Sequence, residues 1–314
     1  MTRLILKRIV HAVPLLFLIT LVAFALGNAA PSDPARMALA AGGTGVQIDE
    51  RDVELKRIEL GLDRPLPERY LTWLGDLVQG DLGESFTSGR SVTALFVERF
   101  PASLMLAVLA MVVAIAVGVP LGMASAVRPN GLIDYSSRLL ALACVSLPAF
   151  WIALMAIALF AAKLHLVPAI GQLTFAGAIL PILVLSLRPL GRLIRLMQTT
   201  TAEVLRSEHV KVTRGKGLGE FAIMRRHVLP NAILPIVAVI GLDLAVLIAN
   251  SAVVEWVFAW PGVGRLGVEA ALAGDLPVLM AFTVVVSVVV LLTTLLVDIT
   301  YALMDPRIRE EVRA

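Results

Sequence analysis

Charge is what this sequence has little of. Only 16% of its 314 residues are Asp, Glu, Lys or Arg, where soluble domains carry about a quarter. With 58% hydrophobic residues and a mean hydropathy of +0.87, the chain is too apolar to dissolve as one globular domain. Its formal net charge of +3 provides no basic stripe for nucleic acid. One cysteine, Cys144, excludes an intrachain disulfide and a cysteine-ligated metal cluster. Set in an apolar run, Cys144 reads as a small buried residue. Four histidines (His11, His165, His209 and His227) are scattered, with no pair at i, i+4. H-E-x-x-H, G-x-S-x-G and G-x-x-x-x-G-K-[ST] are all missing. No catalytic residue, metal site or cofactor of the chain's own is therefore expected, and an intramembrane enzyme is disfavoured.

What the sequence does have is apolar length. A bilayer core takes about 20 apolar residues as helix. Six stretches qualify: Ile9–Asn28, Ala102–Val127, Leu139–Ala162, Ala176–Met197, Ala232–Val254 and Leu276–Val297. The first is too long for a signal-peptide core of roughly 7–15 residues, and no small-x-small cleavage site follows it cleanly. The expected fold is all-α and polytopic, with six transmembrane helices. Short-loop Lys and Arg set orientation. Arg3, Lys7 and Arg8 precede the first stretch, Arg128 and Arg138 lie between the second and third, and six basic residues lie between the fourth and fifth. Arg307, Arg309 and Arg313 close the chain. The other short loops hold only Lys163 and Arg265. Both termini are therefore expected in the cytoplasm.

This divides the chain into 1–28 (N-terminus and first helix), 29–100 (extracytoplasmic) and 101–314 (a five-helix core). The outer segment is longer than the loops the charge rule governs. Its pieces "VELKRIELGL" and "RYLTWLGDLV" have apolar residues at helical spacing, while "GDLGES" reads as a turn. A small helical cap is expected there.

A different motif lies late in the chain. In "WPGVGRLG", Gly262, Gly264 and Gly267 spell G-x-G-x-x-G after an apolar, β-rich run, Val253 to Trp260, and before a helix-like L-G-V-E-A-A-L-A. The dinucleotide fingerprint needs a βαβ unit and an acid about 20 residues on. Spanning helices flank this copy and Asp275 comes too early. Trp260, Pro261, Gly262, Gly264 and Arg265 are instead read as a tight outer turn, where proline stops the incoming segment and glycines allow close approach.

The large basic loop reads "SEHVKVTRGKGLGEFAIMRRHVLPNAILP". It resembles the signature of ABC-importer inner-membrane permeases, and most closely the dipeptide/oligopeptide/nickel subfamily. Arg214, Lys216, Gly217, Leu218, His227, Asn231, Ala232, Leu234 and Pro235 carry the match, while Lys211, Val212 and Thr213 stand where E-A-A is usual. "LKRIVHAVPLLFLITLVAFAL", "APSDPA", "VVEWVFAWPGVGRL" and "DPRIR" extend the likeness over nearly the whole chain.

The resemblance implies a B-type permease subunit in a bacterial inner membrane, forming half of a path for di- or oligopeptides, with nickel chelates or other small solutes as alternative cargo. It implies as partners a second permease, two cytosolic subunits that use ATP and magnesium, and an outer substrate-binding protein. Loop 199–231 would couple to the ATPases through Val210, Arg214, Lys216, Gly217, Leu218, Phe221, His227 and Pro230, with Val212 and Ile223 as further apolar anchors. A gradient-driven carrier would need no such partner, but no half-to-half repeat is visible.

Ionisable residues inside spans are functional candidates. Arg188, Arg192 and Arg195 fall on one face of the fourth helix at i, i+4 and i+7. Asp243 lies mid-way along the fifth, and Asn250 nearer its end. Arg188, Arg192, Asp243 and Asn250 are the candidates for the translocation path. Arg195, at a position usually basic in the subfamily, reads as a snorkelling residue. A pair between Arg188 and Asp243 is one expectation; an Arg188 that attracts a cargo carboxylate is its rival.

Overall fold

The computed structural model describes residues 2–29, 33–42, 49–168 and 173–304. The tail arginines Arg307, Arg309 and Arg313, and Pro31 and Ser32 of the A-P-S-D-P-A turn, lie outside them. Among the described residues every regular element is helical; the closest approach to a sheet is one bridge between Glu84, in the expected G-D-L-G-E-S turn, and Ser91.

The N-terminal half contains α1 (Thr2–Ala29), α2 (Pro34–Gly42), α3 (Glu50–Glu59), α4 (Leu66–Val78), α5 (Val92–Val127), α6 (Leu132–Ser146) and α7 (Ala149–Ala156), which continues as a wider π-helical stretch, Ile157–Lys163. Then come α8 (Phe175–Arg206), α9 (Glu208–Gly215), α10 (Glu220–Ile223), a π turn at Met224–Val228 and α11 (Leu229–Ala232). The chain continues with α12 (Leu234–Asn250), α13 (Ala252–Val257), α14 (Val263–Ala273) and α15 (Leu276–Met304).

Among the described residues four helices are long and apolar enough to cross a membrane: Val10–Asn28, Val92–Val127, Phe175–Arg206 and Leu276–Thr300. The third and fifth expected stretches are bent pairs. Leu132–Ser146 meets Ala149–Lys163 at 103°, and Glu220–Ala232 meets Leu234–Asn250 at 52°. The larger bend replaces the continuous helix expected over Leu139–Ala162. The helix is broken locally: Leu147 precedes Pro148 and is extended, with φ −85° and ψ 133°, as the proline ring demands. Val253 to Trp260, though rich in β-branched residues, is helical through Val257, in keeping with the helical flank expected for the turn. Its β-branched residues pack on neighbours and have no partner strand, so tertiary context overrides their propensity. The second span also starts earlier than expected, at Val92, where Ser91 caps it by accepting from the backbone N–H of Ala94.

The two expected amphipathic pieces are α3 and α4. Tyr70 of α4 packs edge-on against Phe24 of α1, with centroids 5.4 Å apart, and its hydroxyl pairs with Thr20 Oγ1 at 2.9 Å. Elsewhere, α1 runs along α15, where Arg8 Nε pairs with Asp298 Oδ2 at 2.9 Å.

Helices α5 and α8 make the most extensive contact. In lipid, apolar burial alone gives helices little reason to associate, so close packing has to supply it. Small residues permit this: Ala107, Ala110 and Ala114 are fully buried, and Gly118 and Gly122 follow one and two turns later. A Cβ on Gly122 would stand 2.6 Å from the carbonyl oxygen of Ile194. This G-x-x-x-G spacing was legible in the sequence and places α8 at the centre of the helices.

Candidate functional site

Buried residues make up 67% of the apolar stretch of α8, against 17–33% for the other three unbroken spans. Its one exposed stripe over the middle turns consists of Arg188, Arg192, Arg195 and Thr199. Leu190, Leu193, Ile194 and Met197 face the opposite way, into the core. An arginine turned towards lipid at mid-span costs at least about 2.5–3.5 kcal/mol. The stripe instead borders a cavity of about 640 Å³, walled also by Val145 of α6 and by Val239, Asp243 and Val246 of α12.

Asp243 is buried and accepts from Arg192 Nη1 at 2.5 Å; its Oδ2 receives no hydrogen bond from the protein. The expected pair of Arg188 with Asp243 is therefore corrected: Arg192, one turn further along α8, holds the carboxylate. Arg188 and Arg195 have no carboxylate within ion-pair distance among the described residues. Asn250 is exposed two turns beyond Asp243 on α12, outside the cavity wall.

The outer turn is a dense knot around Glu255, which is fully buried. Glu255 Oε1 accepts from Ser251 Oγ at 2.7 Å, and Oε2 from the backbone N–H of Arg265 at 2.9 Å. The first turn of a helix attracts anions, and at α14 the chain's own carboxylate occupies that position. Gly262 and Gly264 leave room for it, since a Cβ on Gly262 would stand 2.3 Å from Glu255 Oε2. This explains the phosphate-loop spelling without a phosphate. Trp260 Nε1 donates to the carbonyl of Ala102 at 3.2 Å, and the Val263 N–H to Ser103 Oγ at 2.8 Å, tying the turn to α5. Pro261 breaks the helical path before α14. Arg265 Nε donates to Glu269 Oε1 at 2.7 Å and its Nη1 to the carbonyl of Ala259, also at 2.7 Å.

The basic loop folds on itself. Helix α9 ends at Gly215; Gly217 follows at φ +80°, a left-handed conformation that glycine adopts without strain. Arg214 then grips Glu220 with two hydrogen bonds, 2.7 and 3.0 Å. Val210, Ile223 and Val228 are fully buried in a small core of the loop's own. Val210 and Ile223 therefore offer a partner nothing, contrary to the anchor role expected for them. The apolar residues left on the surface are Val212 and Phe221, 58% and 79% exposed, beside exposed Arg214, Lys216 and Gly217. Leu218 and His227 are half-buried, and Pro230 is exposed where the π turn meets α11.

With this geometry in hand, the chain can be placed among known proteins. Residues 118–310 match the family described as binding-protein-dependent transport system inner membrane component. The chain belongs to that family. Residues 1–107 match the N-terminal membrane component of the same transport systems. The chain is 36% identical over 320 residues to a Brucella suis protein named as a peptide permease, covering 98% of this chain and 99% of that one. It is 35% identical over 303 residues to the glutathione transport system permease protein GsiC of Pectobacterium atrosepticum, covering 96% and 97% of the two chains. The oligopeptide transport system permease protein AppB of Bacillus subtilis is 34% identical over 315 residues, 97% of this chain and 98% of that one. In fold, the chain resembles the MetNI methionine ABC transporter in inward-facing conformations, with a TM-score of 0.58, 19% identity and coverage of 67% of this chain and 96% of that one.

As a binding-protein-dependent transport permease, the chain is a multi-pass inner-membrane protein. Two of its polar anchors escaped the sequence reading. For Glu255 the available signal was a lone acid within an apolar run just before a glycine-rich turn. Asp134, fully buried, accepts from Ser125 Oγ, Gln198 Nε2, the Asn130 N–H and both Nε and Nη2 of Arg138, at 2.6–2.8 Å. It joins α5, α6 and α8. Only the i, i+4 spacing of Asp134 and Arg138 could have suggested it, because Ser125 and Gln198 are remote in sequence.

Proposed function

We propose that this permease forms half of the translocation path of an ATP-driven peptide importer and passes the motion of cytosolic ATPases to that path. The observation that carries this is the end-to-end likeness, at 34–36% identity, to relatives named for peptide or oligopeptide transport. The geometry supports it. A charged cavity lies against the most buried span. A compact basic loop with an exposed phenylalanine closes the far end of the same helix. In this reading a second permease completes the path, two ATP-binding subunits dock below, and an outer binding protein delivers the peptide.

The test is uptake of a labelled tripeptide into proteoliposomes containing this chain, its partner permease, both ATPases and the binding protein. Accumulation should require ATP inside the ATPase-accessible compartment. Uptake driven by a proton or sodium gradient without ATP would replace the reading with that of a secondary carrier.

In the proposed topology the bent pair Leu132–Lys163 is one crossing and Leu234–Asn250 another, with Glu220–Ala232 on the cytoplasmic side, giving six spans with both termini in the cytoplasm and residues 29–100 outside. The basic residues of 206–226 then face the cytoplasm, as the charge rule asks. A reporter active only in the cytoplasm should be active when fused after Arg214 and silent when fused near Gly262. The reverse pattern would invert the topology.

A further inference from the structure

The cavity beside α8 holds three guanidinium groups and one carboxylate, which leaves two positive charges over. From Arg188 to Arg195 the helix rises about 10 Å, one arginine per turn. Arg192, on the middle rung, pairs directly with Asp243, while Arg188 and Arg195 on either side have no carboxylate at ion-pair distance among the described residues, although Arg188 lies close enough to feel the charge of Asp243. Cations within a spanning segment recruit anions, and guanidinium pairs with a carboxylate through parallel N–H donors.

Resting on the importer reading above, we propose that Arg188, Arg192 and Arg195 form a ladder for the acidic side chains of the peptide cargo, with Asp243 as the displaceable occupant of its middle rung. A carboxylate arriving at Arg188 moves to Arg192 by exchange with Asp243, then to Arg195. The exchange keeps the site from trapping its cargo: a bare Arg192 would hold an anion too tightly, and Asp243 reclaims the guanidinium once the cargo steps on. Exposure of the arginine side, 56% for Arg192 against 8% for Asp243, leaves the guanidinium accessible from the cavity while the acid stays in the wall.

The test uses the assembled complex in proteoliposomes and two probes, Ala-Glu-Ala and Ala-Lys-Ala. Uptake of each by a variant is divided by wild-type uptake of the same peptide, so the preference of the binding protein cancels. Losing one charge-assisted hydrogen bond should reduce kcat/KM for the acidic peptide by about tenfold or more in Arg188→Gln, with a clearly smaller loss for the lysine peptide. Arg195→Gln should show the same selectivity, and Arg188→Lys should recover part of it. Asp243→Asn should lower the KM for the acidic peptide and also its kcat, as cargo lingers on Arg192.

Equal losses for both peptides in Arg188→Gln and Arg195→Gln would overturn the ladder while leaving the importer reading intact. So would variants that no longer co-purify with the partner permease, because the arginines would then serve assembly. If the wild-type complex moves neither peptide with ATP, the importer reading itself fails, and the ladder with it.

Discussion

Replacing Gly264 by alanine should destabilise the folded protein by at least about 1–3 kcal/mol, the usual cost of overpacking. Its Cβ would stand 2.6 Å from the Cα and 2.8 Å from the nitrogen of Ala252, and 2.9 Å from Glu255 Oε2. The first two are backbone atoms of α13, so no rotamer change relieves them. The third is pinned by the Arg265 N–H. The backbone of Gly264 is not in the left-handed region, so the substitution probes the contact rather than the conformation. The outer turn would have to separate α13 from α14, and Trp260 and Val263 would lose register with Ala102 and Ser103.

A control is available at Gly75, inside α4, where a Cβ meets nothing within 4 Å. Alanine there should be neutral or stabilise by about 0.5–1 kcal/mol, since glycine is a poor helix former. Thermal unfolding of the detergent-solubilised protein reads both. A Gly264→Ala protein that melts with the wild type would mean that the two helices are not packed around Glu255 as described.

That turn also indicates how far the sequence could be read. Its place between spans and its glycines were legible, because proline and glycine act locally. The reason for the glycines was not: it depends on Glu255 reaching forward along the chain to the first turn of α14, a contact that no periodicity records. The arginine stripe behaves in the same way. Spacing put Arg188, Arg192 and Arg195 on one face, and the structure keeps them there. Which of them meets Asp243 depends on how α8 and α12 cross, a register that a single chain of letters does not carry. The bend at Pro148 lies between these cases, since the proline was visible but the 103° turn depends on α6 and α7 packing separately on α8. In the basic loop, Val210, Val212, Leu218, Phe221 and Ile223 were all candidate apolar anchors, with nothing in the sequence to tell Val210 and Ile223 from Phe221. Only folding separates the two that build the loop's core from the one left outside.

That phenylalanine should carry the largest effect on assembly. Phe221 is 79% exposed at the start of α10, next to the Arg214–Glu220 pair and on the side of the loop away from its buried core. On the importer reading proposed above, this exposed ring is the loop's candidate anchor for an ATPase subunit. An aromatic anchor in a fitted pocket is typically worth about 2–4 kcal/mol when removed, about thirty- to nearly a thousand-fold in affinity. Phe221→Asp should therefore abolish co-purification of the ATPase subunits and ATP-driven uptake. Folding should be spared: exposed substitutions change stability by about 0.5 kcal/mol or less, and an acid is favoured in the first turn of a helix. The competing possibility is that the ring rests among lipid headgroups. Phe221→Trp separates the two, because tryptophan is well suited to that interface but overfills a pocket shaped for phenylalanine. ATPase binding retained by Phe221→Asp would refute the docking role. Binding weakened by both substitutions, with the melting temperature unchanged, would establish that the ring enters a pocket in the ATPase.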